Sequence, residues 1–187
     1  GYLWCTGALL VDTNPQTQAP YMLTAYHCVS SQTKASQLEA YWLYQTSVCD
    51  GTPPAPTSVP RTTGGADFLS GTGGNAGSNA GTDFALLRLR NQPPAGVTYL
   101  GWSTTHQPVG APATVIHHPR GDYKRITFGA VTDSTVYASN FYEITYAEGT
   151  TEAGSSGSPL MRDDTQQVIG QLWRGDASCS QPYAPDY

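Results

Sequence analysis

The sequence has little charge, no long apolar run and few helix-forming stretches. Charged residues make up 12% of its 187 positions, with 9 Lys and Arg against 14 Asp and Glu. The resulting net charge of −5 argues against nucleic-acid binding, which calls for clustered Lys and Arg. No apolar segment approaches the roughly 20 residues of a bilayer-spanning helix, so no membrane association is expected. No charged segment followed by an apolar one opens the chain, so no signal peptide is expected within it. Amphipathic helical periodicity is missing, apart from a short helical turn expected over Ser31 to Ser36. Cys5, Cys28, Cys49 and Cys179 show no CxxC spacing, which argues against a zinc knuckle.

What is abundant is Gly, Ser, Thr, Asn and Tyr, the profile of a β-rich extracellular protein. The four cysteines read as disulfide partners in an oxidising compartment, with three pairings open. Strands are expected over Tyr2 to Leu10, Tyr21 to Ala25, Leu38 to Tyr44, Phe84 to Leu89, Ala113 to His117, Thr135 to Tyr146 and Val168 to Trp173. Thr52 to Pro60 reads as a proline-rich loop, and Gly64 to Gly81 as a long mobile surface loop. Asn91 to Gly96, with Pro93-Pro94, reads as a linker between two halves. Many short strands with turn signals point to barrels or a sandwich. The chain starts inside an expected strand and stops at Asp186-Tyr187, so it is expected to be a fragment truncated at both ends.

Gly154-Ser155-Ser156-Gly157-Ser158-Pro159 carries the most chemistry. Two glycines and a proline can hold Ser156 at a sharp bend with its hydroxyl exposed. The amides of Gly154 and Ser156 can then point into one small space. A nucleophile beside two backbone donors is what acyl transfer through a tetrahedral oxyanion requires. His27 follows an apolar strand and precedes Cys28, a tethered setting that suits a general base. Asp83 enters the apolar strand Phe84 to Leu89. A carboxylate buried there needs a partner, and an imidazole Nδ1–H is a good one.

Three blocks in this order resemble the chymotrypsin-like serine proteases: Thr24-Ala25-Tyr26-His27-Cys28, Asp83-Phe84-Ala85-Leu86-Leu87, and the Gly154 to Pro159 turn. Within that fold the chain is similar to the bacterial lysyl endopeptidases of the Achromobacter protease I type. Cys5-Thr6-Gly7-Ala8-Leu9, His117-His118-Pro119 followed by Lys124-Arg125-Ile126, Thr151 to Leu160, and Val168 to Leu172 carry the likeness. The resemblance implies two antiparallel β-barrels in an all-β chain, divided into lobes 1–95 and 96–187. It implies Ser156 as nucleophile, His27 as base and acid, Asp83 as orienting carboxylate, and the Gly154 and Ser156 amides as oxyanion hole. It implies Asp186, Trp173 and Arg174 on the wall of the specificity pocket, with Asp186 pairing with a substrate cation. Trp173 stands where these enzymes carry a His, and Arg174 where they carry a Gly. Cleavage after basic residues, lysine favoured, is therefore expected.

The resemblance also implies a Cys5–Cys28 disulfide, with Cys49 and Cys179 unpaired in this chain; a Cys49–Cys179 bond is the alternative. Animal relatives carry an Asp where Ser155 stands, so activation by N-terminal insertion is not expected. A secreted monomer acting on polypeptides is implied, with no cofactor and no metal. His117-His118 is read as structural, because adjacent residues on a strand face opposite ways. Arg120-Gly121-Asp122 is read as a chance tripeptide, and Tyr41, Trp42, Tyr44 and Trp102 as packing residues. Two other readings stay open: a serine protease of different specificity, and a protease-fold binding module without activity. An α/β-hydrolase is excluded, since its order is Ser, Asp, His and its turn leads into a helix.

Overall fold

The structure is a computed structural model, and it describes residues 4–14, 16–74, 81–136 and 140–187. Eleven strands follow one another among these residues. They are β1 (Gly7–Leu10), β2 (Tyr21–Ala25), β3 (Ala40–Tyr41), β4 (Arg61–Thr62), β5 (Ala66–Gly71), β6 (Phe84–Leu89), β7 (Pro112–His117), β8 (Arg125–Thr135), β9 (Phe141–Glu148), β10 (Pro159–Arg162) and β11 (Val168–Gln171). The chain is all-β, and its strands pair antiparallel within three sheets. One sheet has the order β1-β2-β6-β5, a second β11-β10-β7-β8-β9, and β3 pairs with β4 alone. The expected helical turn forms as α1 (Gln32–Ala35), where the Ser31 hydroxyl accepts from the Lys34 N–H and caps its start.

Each large sheet buries its own apolar cluster. Leu9, Met22, Ala25, Leu87 and Leu89 fill the first, with Trp42, Phe68, Val97 and Tyr99 packed against it. Ala113, Val115, Val131, Ile144, Tyr146, Leu160 and Ala177 fill the second. The alternation of β6, with Ala85, Leu87 and Leu89 inward, is the period-2 pattern of a half-buried strand. β2 docks along it in continuous register, from Tyr21 opposite Arg88 to Ala25 opposite Phe84.

Several expectations need correcting. The stretch Gly64 to Gly81 is not all loop, because Ala66–Gly71 is a strand. It pairs with β6, and Arg88 and Arg90 both bond the Asp67 carboxylate across the sheet at 3.2 and 2.9 Å. Residues 75–80 of that stretch lie outside the described residues. Thr135 to Tyr146 is not one strand: β8 ends at Thr135 and β9 begins at Phe141, the two pairing antiparallel. Residues 137–139 lie outside the described residues. Leu38 to Tyr44 contributes only Ala40–Tyr41, and Val168 to Trp173 ends its strand at Gln171. Of the expected Tyr2 to Leu10 strand, Gly7–Leu10 forms, while residues 1–3 lie outside the described residues.

Candidate active site

β2 ends in a turn in which the Cys28 and Val29 N–H groups both donate to the Ala25 carbonyl. A Cys5–Cys28 disulfide ties this turn to the segment before β1. His27 projects from the turn with 42% of its side chain accessible, while Asp83, just before β6, is buried. Asp83 has a left-handed backbone (φ 53°), and its carbonyl accepts from the Tyr26 N–H at 2.6 Å. Its Oδ1 accepts from the His27 N–H at 3.1 Å, and its Oδ2 lies 2.6 Å from His27 Nδ1. A buried carboxylate so held is compensated for lost hydration. The same bond places the imidazole proton on Nδ1 and leaves Nε2 as the proton-accepting atom.

Ser156 lines the same cleft as His27 and Asp83, a space of about 470 Å³. A second cavity, more apolar in its lining, touches neither His27 nor Ser156. Ser156 and His27 make no direct hydrogen bond here; such bonds commonly tighten only once substrate is present. The turn around Ser156 is held on every side. Ser155 N–H donates to Glu152 O, Ser158 N–H to Ser155 O, Gly157 N–H to Leu172 O, and Thr6 N–H to Ser156 O. Gly157 sits at φ 82°, and a Cβ there would collide with Thr6 O, Thr24 Oγ1 and Ala25 N, so this corner of the turn requires glycine. Among the described residues, the amides of Gly154 and Ser156 donate to no protein acceptor. Two unspent donors beside a serine hydroxyl can receive a developing oxyanion.

Asp186 lies behind the cleft lining rather than on it. It is 1% exposed, and its Oδ2 accepts from the Thr151 hydroxyl. Tyr146 also hydrogen-bonds it, and the Ala177 N–H approaches Oδ1 at 3.4 Å. Thr151, Gly175 and Ala177 line the cleft and also contact Asp186, which lines the second, more apolar cavity. A Cβ at Gly175 would overlap the Asp186 carboxylate and backbone, so this close approach depends on glycine. Burial raises the Asp186 pKa, against the hydrogen bonds from Thr151, Tyr146 and Ala177, which lower it. Trp173 and Arg174 line the cleft. Trp173 packs on Phe141 with ring centroids 4.7 Å apart, and the Arg174 guanidinium lies 4.4 Å over the Trp173 ring.

Cys49 and Cys179 are free and exposed, so the alternative bond between them does not form. His117 is buried, with Nδ1 2.7 Å from the Ser155 hydroxyl, and His118 Nδ1 is 2.9 Å from the Asp122 carbonyl. Burial first, then the nearby His118 and Arg125 charges, push His117 down to about 4, so it is neutral at physiological pH. The clustered donor set Cys5, His27 and Cys28 offers no thiolate to a metal, because both sulfurs are in the disulfide.

Sequence reasoning missed three supports of the site. Thr6 hydroxyl donates to Gly154 O and accepts from His118 N–H, each at 3.0 Å. Glu152 accepts from the Cys179 N–H at 2.9 Å and pairs with Arg120 at 3.1 Å. Gln171 reaches the carbonyls of Thr82 and Asp83. The one signal in the sequence was Thr6 standing beside Cys5; nothing local marks the other two.

The profile of the family described as the lysyl endopeptidase C-terminal domain matches residues 1–187. A lysyl endopeptidase of Pseudomonas aeruginosa is 36% identical over 185 residues, covering 95% of this chain and 38% of that protein. The chain thus spans well under half the length of that curated relative. Among solved structures, a Glu endopeptidase superposes with a TM-score of 0.58 at 19% identity, covering 97% of this chain and 78% of that one. The active form of the Rv3671c protease of M. tuberculosis gives 0.55 at 19% identity, covering 98% and 67%. The fold is that of the chymotrypsin-like proteases, and the chain belongs to the lysyl endopeptidase C-terminal domain family.

Proposed function

We propose that this chain is the catalytic part of a secreted, monomeric serine endopeptidase that cuts polypeptides after basic residues, lysine favoured. The observation that carries the reading is the 2.6 Å His27–Asp83 contact in a cleft that also holds Ser156. Lobes 1–95 and 96–187 meet there, the first supplying His27 and Asp83 and the second Ser156. His27 Nε2 takes the Ser156 proton as Oγ attacks the scissile carbonyl. The Gly154 and Ser156 amides receive the oxyanion, and Asp83 stabilises the imidazolium. His27 then protonates the leaving amine, an acyl-enzyme remains, and water activated by His27 hydrolyses it. Protein groups supply every step, so the reaction needs no cofactor.

Asp186 gives the preference for cations. Its buried charge acts past Thr151, Gly175 and Ala177, which contact it and line the cleft where a lysine ammonium would be held. Arg174, folded onto Trp173 at the cleft, sets a second cation near the substrate path, whose repulsion of a basic side chain Asp186 must outweigh. The disulfide supports an oxidising destination, and no helix among the described residues is long and apolar enough to cross a membrane.

Cleavage-site mapping on a diverse peptide mixture tests the proposal, using the wild type and Ser156→Ala. Cuts after Lys that vanish in the variant are expected. Serine-dependent cuts after Lys and Arg alike would keep the mechanism and remove the lysine preference. A folded wild type with no serine-dependent cutting would favour a binding module instead.

A further inference from the structure

We infer that Gln171 is a positioning residue for the Asp83–His27 pair, acting from one large sheet onto the other; this rests on the protease reading above. Gln171 is the last residue of β11 and lies opposite Pro159, the residue that opens β10 directly after the Ser156 turn. Its Nε2 donates to the carbonyls of Thr82 and Asp83, each at 3.2 Å. These two carbonyls flank the Asp83 Cα. Asp83 adopts a left-handed conformation that an L-residue with a side chain rarely takes. Fixing the peptides on both sides of such a residue fixes the direction in which its carboxylate leaves the backbone. That direction sets the Oδ2 to Nδ1 contact with His27. Tyr26 N–H, just past the end of β2, also holds the Asp83 carbonyl, while Gln171 grips it from β11.

The orientation of the amide is forced. Both neighbours are acceptors, so the NH2 end must face them. Oε1 then turns away, and it is buried without a partner among the described residues. The surroundings include Leu23, Phe84, Leu160 and Ile169, which would suit an apolar side chain with no such orphan. A polar residue that leaves one end unsatisfied in an apolar setting is explained by what its other end does.

Three proteins test this: wild type, Gln171→Met, which keeps length and packing but has no donor, and Gln171→Glu, which keeps shape and puts carboxylate oxygen against two carbonyls. Steady-state kinetics on a lysyl peptide are paired with the proton NMR signal of the His27 Nδ1–H, which needs no turnover. Thermal unfolding checks the fold. Gln171→Met should lower kcat about tenfold with KM within about twofold, because a displaced Asp83 misaligns His27 rather than the substrate. Its Nδ1–H signal should move upfield, and Gln171→Glu should show both effects more strongly. If Gln171→Met does not fold, Gln171→Glu alone decides. Wild-type kcat and an unmoved signal in the folded variants would overturn the inference, as would a change confined to KM. If wild-type cutting survives in Ser156→Ala, the protease reading fails, while the NMR signal still reports whether Gln171 holds the pair.

Discussion

On the proposed reading, Asp186 acts on the cleft without lining it. Its carboxylate is buried and bonded to Thr151, and a neutral isostere keeps that contact while removing the charge. Asp186→Asn should therefore lower kcat/KM for lysyl peptides by about 100-fold, with far less effect on peptides carrying a neutral residue there, as read by parallel assays. The ammonium requires the ionised carboxylate, and burial raises the pKa of that group. KM for lysyl peptides should therefore rise as pH falls through the raised value. Stability runs the other way. The folded state holds this proton more tightly than the unfolded chain, so the contribution is full below the ordinary value of 3.8. It is lost as pH rises through the folded value. Denaturant midpoints measured across the acid range should show this fall in the wild type and not in Asp186→Asn.

At the scale of elements, the turn that carries Ser156 is closely packed against Thr6, Thr24 and Ala25. Gly157→Ala places a Cβ against Thr6 O, Thr24 Oγ1 and Ala25 N at a positive φ. It should cost about 2 kcal/mol or more in denaturant unfolding and abolish most activity, since the Ser156 backbone must move to relieve the clash. β2 and β6 were legible in the sequence because each is a short, mostly apolar run with turn signals at its ends. β5 was not, because Ala-Asp-Phe-Leu-Ser-Gly has no such pattern and is a strand through its pairing with β6. β8 was missed for a related reason: Gly129 and Asp133 interrupt it, and it shifts register against β9 at both places. His27, Asp83 and Ser156 were readable because each sits in a short distinctive block. Thr6 and Gln171 were not, because their partners lie 148 and 88 residues away and only folding brings them together.

Across the whole molecule, the site depends on stitches between distant parts of the chain. Thr6 N–H and hydroxyl hold Ser156 O and Gly154 O, while its own carbonyl accepts from Thr24 Oγ1. Thr6→Val keeps the shape and deletes the hydroxyl, leaving Gly154 O and His118 N–H without that partner. A loss of about 1–3 kcal/mol in denaturant unfolding is expected, with kcat falling more than KM rises. The Cys5–Cys28 disulfide closes a loop of 23 residues that carries β1 and β2. Replacing both cysteines with alanine should lower stability by about 3 kcal/mol, measured by chemical denaturation, and loosen the His27 turn.

On the proposed mechanism, His27 and Asp83 make Ser156 a nucleophile. Treatment with a fluorophosphonate, followed by intact-mass and peptide mass spectrometry, tests it most directly. One adduct per chain is expected, on Ser156, formed far more slowly in His27→Ala and absent in Ser156→Ala. Folded wild type that stays unmodified, or that carries the adduct on another residue, would contradict it.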